Sequence, residues 1–359
     1  MYETSQLSAK AIGLLKELIQ IQSYSGEEHE TGDLLFSYLK EHGFSPLRKK
    51  NNVWAWTQTP EPGKPALLLN SHHDTVKATR KWSYDPFTPT VKDGALIGLG
   101  SNDAGAPLVS LLHTFLALSE REQSYNLCFL ASAEEETASK NGVPIVLDEL
   151  GPIHLGVVGE PTSMRMAIAE RGLIVLDCVS HGKSGHAARN EGENALYKAF
   201  SDIEWFRTYQ FSDVSDVLGA VNMTVTQIEA GTQHNVVPDE CRFVVDVRPN
   251  EHYTNAQLVE AIKEQVSCEV NPRSLNLNAS GIAPDHPVVQ RGKHLKMELY
   301  GSKTMSDQVH MPFPCIKIGP GDTHRSHTAD EFVYLSEIEE GIPQYLALLD
   351  GLKLNTQES

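Results

Sequence analysis

Ala66-Leu-Leu-Leu-Asn70 runs straight into Ser71-His72-His73-Asp74, and the same arrangement recurs three times along the chain. Asn126-Leu-Cys-Phe-Leu130 leads to Ala133-Glu134-Glu135-Glu136, His154-Leu-Gly-Val-Val158 to Gly159-Glu160-Pro161, and Cys315-Ile-Lys-Ile318 to Gly319-Pro-Gly-Asp-Thr-His-Arg-Ser-His327. Each apolar run is too short for a helix, and each ends in side chains that can bind a metal. Between the first two lies Gly98-Leu-Gly-Ser-Asn-Asp103, after which Ala104 to Leu118 reads as a helix. Strands alternating with helices predict an α/β fold, a mostly parallel sheet with helices on both faces. Ligands of such sheets gather at the carboxyl ends of the strands, so these His and carboxylate groups point to one crevice.

Towards the amino terminus, Leu7, Ala11, Leu14, Leu15, Leu18 and Ile19 recur at helical spacing and predict an amphipathic helix over 5–21. A second helix is predicted over 28–41, closed by Gly43. The middle of the chain changes rhythm: strand 173–179, helix 193–206, strands 221–228 and 242–247, helix 255–266 and a last strand near 269–277. That is the β-α-β-β-α-β order of a ferredoxin-like module. It reads as an α+β domain over 169–279, inserted into a domain made of 1–168 and 280–359.

Composition agrees with two domains, because 359 residues with 40% hydrophobic content exceed one comfortable core. No apolar run approaches the roughly 20 residues that cross a bilayer, and the first residues have no basic stretch leading into an apolar one. A cytoplasmic protein without a membrane partner is expected. With 47 acidic against 30 basic side chains the formal charge is −17, which repels polyphosphate and argues against nucleic acid. A bound cation would relieve part of that excess. The five cysteines are scattered without a C-x-x-C pair, which predicts free structural thiols.

Two divalent metals a few ångström apart need about five protein side chains, one of them a shared carboxylate, and such ions accept imidazole and carboxylate together. His72, Asp103, Glu135, Glu160 and His327 supply that set. Taken singly, each is an ordinary solvated charge; their joint placement after strand ends singles them out. Glu134, beside a ligand, is suited to accept a proton from an attacking water, and Asp74 could orient the His72 ring.

The stretches Ser71 to Asp74, Gly98 to Asp103, Ala133 to Glu135, Gly159 to Pro161, Gly185-His186, and Gly319-Pro-Gly through His327-Thr-Ala-Asp-Glu331 together resemble the M20 family of dinuclear zinc amidohydrolases. Gly301-Ser-Lys-Thr-Met-Ser-Asp307 is most similar to its acetylornithine deacetylase and succinyl-diaminopimelate desuccinylase branch. The resemblance implies His72 and Glu160 on one metal, Glu135 and His327 on the other, Asp103 bridging and Glu134 as general base. It implies two Zn2+ per chain, replaceable by Co2+ or Mn2+, with the inserted domain as lid and dimerisation surface. Two positions depart from the family pattern: a familiar Arg is Leu99 here, and the position before the Glu pair, often Asp, is Ala133.

The expected activity is removal of the acyl group from a small N-acylated amino acid, N-acetylornithine or N-acetylcitrulline in arginine biosynthesis. A desuccinylase or dipeptidase is the alternative within the family, and a noncatalytic metal-bound binding homologue the alternative outside it. An α-carboxylate on the substrate calls for a cation, best the planar fork of Arg. Arg248 and Asn235 match substrate-contacting lid positions of the family, with Arg171 and Ser306 as further candidates. Arg248 could equally pair with a surface carboxylate, and Asn235 could equally satisfy a turn. His186, in a Gly-flanked loop, could donate to the carbonyl oxygen as negative charge builds there. In the resembling family the matching histidine serves the neighbouring subunit, which implies a homodimer.

Overall fold

Four parallel strands form the middle of the first sheet in the computed structural model, which describes residues 4–189 and 191–354. Ala66–His72 pairs in parallel with Asn126–Ser132 on one side and Leu155–Val158 on the other, and Leu155–Val158 pairs in parallel with Cys315–Lys317. Antiparallel strands extend this core, Asn52–Trp56 beside Asn126–Ser132 and Met166–Glu170 beside Cys315–Lys317. All seven residues of Ala66–His72 and of Asn126–Ser132 are buried, as sheets covered on both faces require.

Alternation along the strands divides the core. Leu67 and Leu69 face a large cluster with Leu15, Leu111, Phe115 and Ile342, whereas Leu68 and Leu130 face a smaller one with Val143, Val146 and Leu150. The Ala106–Ser119 helix is mostly apolar and buried along nearly its whole length, packed against Thr4–Ile19 and Leu335–Leu349. The smaller cluster is covered by the short Leu147–Leu150 helix and the turn before it.

The chain divides into two units: Met1–Ile168 with Gly281–Tyr300 and Ser306–Ser359, and Ala169–Ser280 with Gly301–Met305. The second unit thus takes in Gly301–Met305, which the sequence reading left with the returning segment. Its sheet is antiparallel, in the order Asn222–Ala230, Glu240–Arg248, Ile174–His181, Glu269–Pro272. Ile174, Leu176 and Cys178 alternate inward with Phe243, Val245 and Val247 against helices Ala195–Thr208 and Asn255–Lys263. The helix starts are explicit: Asn194 caps the first, and Thr254 with Gln257 forms a capping box on the second. All five cysteines are buried and free. Among the described residues no helix is long and apolar enough to cross a membrane.

Candidate metal centre

His72 is the last residue of its strand, Glu134 to Glu136 follow Asn126–Ser132, and Glu160 follows Leu155–Val158. Because these strands run parallel, the three positions lie along one edge of the sheet. Asp103 arrives from the other direction, in the Ser101–Gly105 turn that leads into the buried helix. That turn depends on glycine. Gly100 has φ of 73°, and a Cβ on Gly105 would lie 2.3 Å from the Gly100 carbonyl oxygen.

The ligand-type atoms converge in two groups. In the first, His72 Nε2 lies 3.2 Å from Asp103 Oδ1 and 3.9 Å from Glu160 Oε1. In the second, His327 Nε2 lies 2.9 Å from Glu136 Oε2 and 3.7 Å from Asp103 Oδ2. Asp103 belongs to both. Of the predicted set, His72, Asp103, Glu160 and His327 are brought together, and the glutamate is where the structure departs.

The sequence reading paired Glu135 with His327 and left Glu134 as the spare carboxylate. In the structure the register moves by one residue: Glu136 meets His327, and Glu135 belongs to neither group although its Oε2 lies 4.0 Å from His72 Nε2. The reason is local. Glu134 has φ of 54°, and its carboxylate accepts from Asn141 Nδ2 at 3.1 Å. Lys50 and Asn52 bind the same Asn141, so Glu134 is spent on bracing the turn that presents the next two glutamates. The position before the Glu pair, which the sequence reading gave to Ala133, is in this register Glu134, an acidic residue after all.

Asp74, expected to orient the His72 ring, lies beside it mostly through its backbone. Its carbonyl oxygen lies 3.0 Å from His72 Nδ1, with carboxylate Oδ1 at 3.5 Å. The carboxylate also accepts from the Ser25 hydroxyl at 2.6 Å and the Glu135 amide at 3.1 Å. Against the cost of burial, the bonds from His72 and Ser25 hold its carboxyl down at about 2. The neighbouring His73 is buried on Thr31 and the Asn51 carbonyl, and burial lowers its pKa to about 4.

Four of the remaining candidates, Arg171, Arg248, His186 and Asn235, belong to the second unit. Arg171 donates to the carbonyls of Leu218, Ala220 and Arg248, a brace within the second unit. Arg248 forks onto Asp246, two residues back on its own strand, at 2.7 and 3.0 Å. His186 and Asn235 stand on adjoining exposed loops, joined by the His186–Val236 bridge and the Ala187 amide on the Asn235 carbonyl. Ser306 is buried and caps the Asp307–His310 turn. Sequence reasoning passed over four buried polar residues of the first unit. Asp307 accepts from Ser132 beneath the glutamate turn, while Glu331 and Asn102 bind the loops of Asp103 and His327. Asn102, Asp307 and Glu331 all fall within the motif stretches Gly98 to Asp103, Gly301 to Asp307 and His327 to Glu331, and that placement is the signal the sequence offers for them.

The donors fit divalent metal in kind and in charge. Imidazole and carboxylate without thiolate suit hard and borderline ions. Burial pushes the carboxyls of Glu135 and Glu160 well above their usual range, and neighbouring carboxylates, Glu160 against Glu135 and Asp103 against Glu160, push further against the relief from His72. A cation among them offsets that repulsion.

Similarity to known proteins agrees with this geometry. The chain is 26% identical to the acetylornithine deacetylase of Proteus mirabilis, over 91% of this chain and 93% of that protein. Aminopeptidase PepT of Bacillus cereus superposes with a TM-score of 0.75 at 17% identity, covering 95% of this chain and 98% of that one. A dinuclear metal-binding M20 peptidase of Bacillus subtilis superposes with a TM-score of 0.69 at 15% identity, covering 96% and 97%. Residues 68–350 match Peptidase family M20/M25/M40, and the chain therefore belongs to that family, as a hydrolase acting on amide bonds.

Proposed function

We propose that the chain is a two-metal hydrolase removing the acyl group from an N-acylated amino acid. His72 and Glu160 would hold one ion and Glu136 and His327 the other, with Asp103 available to both. The observation carrying this reading is the pair of three-residue groups sharing Asp103, with Glu135 beside them and in neither. Zn2+ suits the donors, with Co2+ or Mn2+ as substitutes. When bound, the ions acidify water and polarise the amide carbonyl.

Glu135 is then the general base. Its carboxylate takes a proton from the attacking water and returns it to the leaving nitrogen, so that the amide becomes a carboxylic acid and an amine. Retention of this costly half-buried carboxylate among acidic neighbours argues against a noncatalytic binding homologue. Asp74 keeps the His72 ring in register with the Glu135–Glu136 turn, since it holds both.

For the substrate, similarity to an acetylornithine deacetylase supports N-acetylornithine or N-acetylcitrulline, and with it arginine biosynthesis in the cytoplasm. A homodimer through the second unit is supported by its uncovered edge strand, Asn222–Ala230, and by Tyr197, Phe200 and Ile228, which are 68%, 54% and 51% exposed. Rates on a panel of N-acetyl and N-succinyl amino acids, dipeptides and tripeptides test the assignment. The highest kcat/KM is expected on an N-acetylated basic amino acid or citrulline, and a peptide preferred over all acyl amino acids would contradict it.

A further inference from the structure

Asp103 and His327 sit on loops more than two hundred residues apart in sequence, yet their ligand atoms are 3.7 Å apart. Two buried side chains reach across in opposite directions. From the His327 side, Glu331 inserts its carboxylate under the Asp103 loop: Oε1 accepts from the amides of Asn102 at 2.9 Å and Asp103 at 2.8 Å, and Oε2 from the amide of Gly100 at 3.1 Å. From the Asp103 side, Asn102 inserts its amide into the His327 loop. Its Nδ2 donates to the Asp322 carbonyl at 3.1 Å and to Ser326 Oγ at 3.2 Å, while its Oδ1 accepts from the Asp322 amide at 2.9 Å.

Glu331 is 2% exposed and Asn102 not at all, so each makes a full set of bonds away from water, where a missing partner is costly. The fit is close, since a Cβ on Gly321 would lie 2.6 Å from Asn102 Oδ1. Neither side chain belongs to the two ligand groups.

We propose that Glu331 and Asn102 form a reciprocal clasp that positions Asp103 against His327 and so sets the affinity of the second metal position. The proposal rests on the two-metal reading above. His72 and Glu160, on strand ends of the sheet, take no bond from the clasp, so the first position depends on it only through Asp103.

The test is titration of the metal-free chain with Co2+, followed by calorimetry and visible absorption, for the parent, Glu331→Gln and Asn102→Asp. Glu331→Gln sets an amide N–H against the Gly100 N–H, and Asn102→Asp loses both donated bonds. The parent is expected to bind two equivalents. Each variant is expected to bind one equivalent about 10- to 100-fold less tightly, the range for residues that orient metal ligands, and the other is expected to move much less, because it meets the clasp only through Asp103. Metal-free melting and circular dichroism confirm that each variant folds; if one does not, the other carries the same comparison. Unchanged affinities, or equal weakening of both equivalents, would overturn the clasp while leaving the two-metal reading intact. A parent that binds one equivalent or none would overturn that reading itself and the clasp with it.

Discussion

Glu134, Glu135 and Glu136 offer two ways of choosing an adjacent pair, and only backbone geometry decides between them. The left-handed Glu134 turns its carboxylate to Asn141, so the pair facing the centre is Glu135 with Glu136. A one-residue register leaves no trace in composition or spacing, whereas His72, Asp103, Glu160 and His327 each follow a strand or precede a helix and were legible. Glu135→Gln is expected to keep two metals per chain while turnover falls by about 100- to 10,000-fold, as loss of a general base does. Glu134→Gln should leave turnover near that of the parent; metal analysis and rate measurements on both variants separate the two registers. Arg248 is harder to place because it forks onto Asp246. If it serves a substrate carboxylate, Arg248→Lys weakens kcat/KM on N-acyl amino acids far more than on their carboxamides, since lysine cannot reproduce the planar fork. Equal losses would assign it to the Asp246 pair alone.

At the scale of elements, the apolar runs and the ferredoxin-like order could be read because period and length speak directly to secondary structure. The ends could not. The helix expected from Ala104 starts at Ala106, because Ser101–Gly105 forms a turn of its own, and the last strand of the second unit ends at Pro272 rather than near 277. The Asp103 turn leaves little room for substitution. Gly105→Ala would press a methyl group to 2.3 Å from the Gly100 carbonyl and 2.6 Å from Leu15 Cδ1. A loss of about 1–3 kcal/mol in unfolding free energy is expected from such overpacking, together with weakened metal binding. Denaturant unfolding and metal analysis check it, and a variant as stable and as metal-loaded as the parent would show that the turn has room to give.

For the whole molecule, a formal charge of −17 and buried carboxylates make the metal-free state sensitive to pH. Burial pushes Glu331 up to about 8 and Asp307 to about 6, burial raises Glu135 and Glu160, and the Glu136 bond lifts His327 to about 9. Each of these groups holds its proton more tightly folded than unfolded, so the stability they contribute is lost as pH rises between about 4 and 9. The metal-free chain should therefore melt at a lower temperature at pH 9 than at pH 6, which scanning calorimetry reads directly; a higher melting point at pH 9 would contradict this charge balance. Two domains were legible from length and rhythm, but a subunit contact depends on surfaces that no local pattern encodes. If His186 serves the partner of a homodimer, inactive His186→Ala and inactive Glu135→Gln chains, mixed under subunit exchange, should recover one working site per mixed dimer; continued inactivity would place His186 in its own chain's site. The most direct test of the central claim follows amine release from N-acetyl amino acids while metal is added back to the metal-free chain. Turnover is predicted to be absent without metal and to rise with occupancy up to two equivalents, whereas full turnover by the metal-free chain, or no amine released by the loaded one, would contradict the account.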